Sequence, residues 1–207
     1  MDAQFLLTLL LAIPFGASIL IWLCPSNFKM VSSLHVIASA VSSFIALNAV
    51  AKVMDGKSFF AFNDMLFLDA LGGVFLTLIA VTGLLVNLYA IKYMQWEIEK
   101  NEITAKDARL YFSLAHLFIF TMTFSVVANN IVLMWVAIEA TTLSSVFMVA
   151  IHKGKKSTES GWKYIVICSI GLAFALYATV LLYSAGFAVV KDSHSIMLWT
   201  TLMAHAK

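Results

Sequence analysis

Residues 110–151 read LYFSLAHLFIFTMTFSVVANNIVLMWVAIEATTLSSVFMVAI, and Glu139 is the one charged residue among them. A bilayer crossing needs about 20 apolar residues, so the stretch holds two crossings. Ala128-Asn129-Asn130 divides them and turns the chain back on itself, giving antiparallel spans at about 109–127 and 131–152. On this reading Glu139 stands about 3 Å from the middle of the second span, at 1.5 Å rise per residue. A carboxylate at that depth costs about 2.5 kcal/mol or more, and such residues typically face a bundle interior and handle ions or protons.

The remainder of the chain has the same character. Apolar residues make up 62% of it and charged residues 12%, against about 25% charged in soluble proteins. The expectation is an all-α integral membrane protein with a single membrane domain over 1–207. The other spans fall at about 4–23, 31–50, 68–93 and 162–186, and 187–207 reads as a surface-lying tail. Pro14 is tolerable inside the first span, and Cys24-Pro25-Ser26-Asn27 closes it. Asp69 stands where a carboxylate caps the first turn of the third span. Phe59, Phe60 and Phe62 suit the headgroup level.

Most lysines and Arg109 fall in the odd-numbered loops, so the positive-inside rule puts both termini outside the cytoplasm. The net charge of +2 is spread over loops and gives no basic surface for nucleic acid. Cys24 and Cys168 stand alone, outside any metal-ligand spacing. No phosphate-binding glycine loop and no Ser/His/Asp set can be built.

The candidate proton-translocation residues are Glu139, His116 and Lys163, with Thr142 as a support. Thr142 shares the Glu139 face and could orient its carboxylate. His116 lies near mid-span on the preceding helix, at a depth that suits a proton relay or a plain packing bond. Lys163 opens the sixth span and either snorkels to the headgroups or turns inward. Glu139 has its own bland alternative, a neutral acid hydrogen-bonded for packing. His35 and His152 read as interfacial. Gly171 and Ala175 form a small-residue stripe for close helix approach.

Three segments, NIVLMWVAIEATTL at 130–143, WKYIVICSIGLA at 162–173 and LLY at 181–183, resemble the antiporter-like membrane subunits of respiratory complex I, Mrp antiporters and energy-converting [NiFe] hydrogenases. The wording around Glu139 and GWKY at 161–164 is closest to the large proton-pumping subunit of group 4 hydrogenases. LDALG at 68–72 and LYAIKYM at 88–94 extend the likeness. The resemblance implies six helices matching the first six of the antiporter-like fold, with Glu139 as the essential glutamate and Lys163 as a functional lysine. In that family the glutamate pairs with a lysine on a later, broken helix, which a separate chain would here supply.

The resulting expectation is a proton- or sodium-translocating subunit of a redox-driven complex in a bacterial or archaeal cytoplasmic membrane. Peripheral redox subunits would carry the iron-sulfur clusters and a NiFe centre, and this chain would hold no cofactor. Two alternatives remain open. One is a haem b or quinone anchor using two of His35, His116 and His152, and the other is a purely structural membrane subunit.

Overall fold

The computed structural model describes residues 3–152, 154–187 and 195–205. Among the described residues six helices are long and apolar enough to cross a membrane. They are α1 (Ala3–Leu23), α2 (Phe28–Met54), α3 (Ala70–Glu99), α4 (Ala105–Val127), α5 (Ile131–Val149) and α6 (Lys155–Gly186). A hairpin of β1 (Phe59–Ala61) and β2 (Leu66–Leu68) joins α2 to α3, and a short α7 (Trp199–His205) follows α6.

Helix starts follow local chemistry. Asn27 accepts from Lys29 N at 3.1 Å, and Asp69 accepts from Gly72 N at 2.8 Å, the cap expected of it. Thr104 and Asp107 form a reciprocal capping box for α4. Asn130 accepts from Val132 N and Leu133 N, so the Ala128-Asn129-Asn130 turn starts α5 as it ends α4.

Several helices run past the apolar spans read from sequence. The loop expected between Gln95 and Ala108 shrinks to 100–104, because α3 continues to Glu99 and α4 begins at Ala105. Hydropathy marks the part of a helix in hydrocarbon, whereas the helix itself continues until its backbone groups are capped. Here Gln95 donates to Glu99 and the Lys100 ammonium lies over the Trp96 ring, both supporting the last turn. Likewise α6 starts at Lys155, with Gly154 rather than a serine or threonine at its cap.

Helices α1 to α4 close a ring, each packed on the next and α4 back on α1. Helix α5 lies on α4, and α6 leans chiefly on α5. Two apolar clusters fill the ring. Leu7, Ala49, Leu68 and Val127 lie at the hairpin end, and Ile21, Val31, Met94 and Phe112 at the other. Pro14 leaves the Leu10 carbonyl without its helix donor, and both residues line a small cavity with Ser42, whose buried hydroxyl has no partner among the described residues.

Part of the expected surface tail, 188–194, lies outside the described residues. The part beyond it is anchored rather than merely laid on the surface. Ile196 and Leu198 are buried, and Ile131 N donates to Met197 O. Asn129 ties three segments together, donating to Asp64 O at 2.7 Å and Thr200 Oγ1 at 3.0 Å while accepting from Thr200 N. A side-chain amide can serve this way because it carries donors and an acceptor together.

Candidate functional site

Glu139 lies on the seam between α5 and α6. Ser169 Oγ donates to its Oε1 at 3.1 Å, and its Oε2 is buried with no partner among the described residues. One turn away on α5, Trp135 Nε1 donates to Leu172 O at 2.8 Å. Toward the other end Gly161 faces Val146, and Ser157 Oγ donates to Val149 O. These contacts share a single antiparallel register, which sets Ser169 opposite Glu139. Between lipid-facing helices apolar burial drives little association, so packing and such polar bonds decide how they meet.

Most of the rest of α6 is left uncovered by the described residues. Ile167 is 71% exposed and Phe174 72%, and the buried residues of α6 are Gly161, Thr179 and Gly186. The carboxylate thus stands at the edge of what the described residues enclose. One oxygen is satisfied within the seam and the other is shielded but unmatched.

Thr142 does not reach the carboxylate. Its hydroxyl donates to Ile138 O at 3.2 Å, the ordinary back-bond of a helical threonine to its own preceding turn. Ser144 and Ser145 bond their own helix in the same manner. Ser169, from the neighbouring helix, is the hydroxyl that meets Glu139.

Lys163 is turned to the surface. Its Nζ lies 2.5 Å from Glu159 Oε1 one turn back, with the two side chains 70% and 56% exposed. Six residues separate it from Ser169, which is about 9 Å along the helix at 1.5 Å per residue, and on a different face. The structure does not bring it to Glu139.

His116 is fully buried and faces α2, inside the ring. Its Nε2 lies 3.1 Å from Nδ1 of His35, itself at 0% exposure. His35 was expected at an interface because its span was read as beginning at 31. The helix begins at Phe28, and the turn before it is held down by Arg109, which donates to Cys24 O at 2.6 Å. His152, also expected at an interface, pairs with the nearly buried Glu97 of α3 at 2.9 Å. Of the three histidines considered as haem ligands, His35 and His116 thus bond each other and His152 bonds Glu97.

With this geometry in view, comparison with known proteins is specific. Residues 128–203 match the family described as NADH:quinone oxidoreductase/Mrp antiporter, TM. That segment belongs to the antiporter-like membrane family. The antiporter-like chain is 33% identical over 181 residues to the Hydrogenase-4 component F homolog of Methylacidiphilum infernorum, covering 87% of this chain and 37% of that protein. It is 27% identical over 154 residues to NADH-quinone oxidoreductase subunit L of Escherichia coli, covering 67% and 23%. A chain in the structure of the membrane-bound sulfane sulfur reductase, an archaeal respiratory membrane complex, shares the fold. That match has a TM-score of 0.71 and 23% identity, over 86% of this chain and 37% of the other.

The antiporter-like chain thus spans little more than a third of the Hydrogenase-4 component F homolog and of the solved chain. The likeness reaches further toward the N-terminus than the segment beginning at Leu68. Six apolar helices and the family match make it an integral membrane protein.

Proposed function

We propose that the antiporter-like chain is a proton- or sodium-translocating membrane subunit of a redox-driven complex, of the hydrogenase or complex I-like kind, in a prokaryotic cytoplasmic membrane. The observation that carries this reading is Glu139, an acid in the apolar α5–α6 seam with one oxygen held by Ser169 and the other buried with no partner among the described residues. An ionisable acid within a membrane-spanning helix is costly to keep, and such residues typically handle ions or protons.

In the proposed cycle a proton reaches Glu139 and neutralises it, and the neutral acid is tolerated in the apolar seam. A positive charge brought close then favours the ionised form and expels the proton. That charge would come from helices beyond the matched length, carried on a continuation of this polypeptide or on another chain covering the bare face of α6. Lys163 enters this proposal as a charge at the mouth of α6 that Glu159 would have to release. Thr142, bonded to its own helix, contributes shape to the Glu139 face. Iron-sulfur clusters and a NiFe centre would lie in peripheral redox subunits, which drive the membrane part from outside the hydrocarbon layer.

The test is Glu139→Gln in the assembled complex. Glutamine keeps an oxygen that accepts from Ser169 but cannot ionise. Assembly and electron transfer to an artificial acceptor should persist while ion movement across vesicles is lost. Normal ion movement in that variant would overturn the reading. A variant that fails to assemble would instead favour a purely structural subunit.

A further inference from the structure

Away from the α5–α6 seam, the ring of α1 to α4 holds a polar cluster that the Glu139 proposal does not use. His35 and His116 meet at 3.1 Å in its interior, both with 0% exposure. His35 Nε2 lies 3.2 Å from the Asn87 backbone carbonyl. Asn87 Nδ2 donates to Ser39 Oγ at 2.9 Å, and Ser39 Oγ donates back to His35 O at 2.7 Å. Phe112 stacks on the His35 ring at 4.3 Å. These partners come from α2, α3 and α4, and no carboxylate or ammonium is hydrogen-bonded to the pair among the described residues.

The bonding fixes the hydrogens. A carbonyl can only accept, so His35 Nε2 carries a proton, and in the neutral ring Nδ1 is then the acceptor. His116 must donate to it through Nε2–H, which leaves the His116 Nδ1 lone pair free. That nitrogen is buried and has no partner among the described residues. A cleft of about 200 Å³ between α3 and α4 is lined by Asn87 on one side and by Ala115 and Ile119, which flank His116 on its own helix, on the other.

We propose that His35 and His116 form a single proton-binding unit that takes up one proton at His116 Nδ1 and is closed at its far end. The added proton makes His116 an imidazolium, whose Nε2–H can pass to His35 Nδ1. The positive charge is then shared, and each ring keeps its Nε2 or Nδ1 bond in the row. A second proton is refused, because two N–H groups would then face each other across 3.1 Å with like charges. Nothing leaves through His35 Nε2–H, since the Asn87 carbonyl does not carry protons onward. Uptake and release therefore both occur at His116 Nδ1, so the pair stores a charge within the ring and is not a link in a wire to Glu139. This inference stands independently of the Glu139 proposal.

The experiment is ¹⁵N NMR of the full chain in its purified complex in lipid nanodiscs, with histidine nitrogens labelled. The chain has five histidines, and His35→Gln and His116→Gln variants assign the two signals. At alkaline pH both rings should be Nε2–H tautomers. On acidification both should change together, with an uptake of one proton per pair. The same response in Glu139→Gln separates this inference from the Glu139 reading. A His116 ring found as the Nδ1–H tautomer, rings that titrate separately, or a pair that stays neutral until the protein unfolds would each overturn the proposal.

Discussion

Replacing Ser169 with alanine removes the hydroxyl that donates to Glu139 Oε1 at 3.1 Å and leaves α6 helical, alanine being the better helix former. A hydrogen bond to a charged group contributes about 1.5–3 kcal/mol and one between neutral groups about 0.5–1.5 kcal/mol. Losing this bond changes how the carboxyl group is held by about 1 kcal/mol, a factor of roughly five in a step that depends on it. Ser169→Ala should slow transport by about that factor while leaving assembly intact. The assay is the initial rate of proton movement into vesicles carrying the reconstituted complex, driven by its own redox reaction and read with a pH-sensitive dye. Ser169→Thr, which keeps a hydroxyl at the same position, should recover most of the rate. An alanine variant as fast as the parent, or a threonine variant as slow as the alanine one, would refute the reasoning.

Three further outcomes follow from the same geometry. Trp135→Phe keeps the ring but loses the bond to Leu172 O, which should weaken the α5–α6 seam by about 0.6–2 kcal/mol and raise hydrogen exchange in the middle of α6. Lys163→Ala should change thermal stability by less than about 0.5 kcal/mol, because its ion pair with Glu159 is largely solvent-exposed. A loss of transport in that variant at unchanged stability would then mark Lys163 as functional. Asn129→Ala removes the bonds to Asp64 O, Thr200 Oγ1 and Thr200 N, at about 1 kcal/mol each. Faster exchange in 199–205 with no change in α4 is the expected signature.

Much of the fold was legible because the signals are local. Hydropathy marks six crossings irrespective of how they pack, and Asp69 announces a helix start through a bond that closes within three residues. The single acid of residues 110–151 marked Glu139 in the same way, since its desolvation depends on depth along one helix. Helix ends were less legible, because a helix continues into polar surroundings where hydropathy no longer reports it. The extension of α3 to Glu99 and the early start of α6 at Lys155 both fall there.

The partners of the polar groups were decided by the tertiary structure alone. Sequence spacing put Thr142 beside Glu139, but a threonine on a helix satisfies itself on the preceding turn. The carboxylate's partner is Ser169, thirty residues on, set opposite it by the register that Trp135 and Gly161 fix. Equal depth on adjacent helices made His116 look like a relay to Glu139, yet depth says nothing about rotation about the helix axis. Closure of the α1–α4 ring turns His116 toward His35, eighty-one positions away. The sequence by itself determined that this chain crosses a membrane and buries an acid there. Which polar groups meet was decided only when helices distant in sequence were packed face to face, because such a bond depends on the rotation and register of two helices and neither is written in either one.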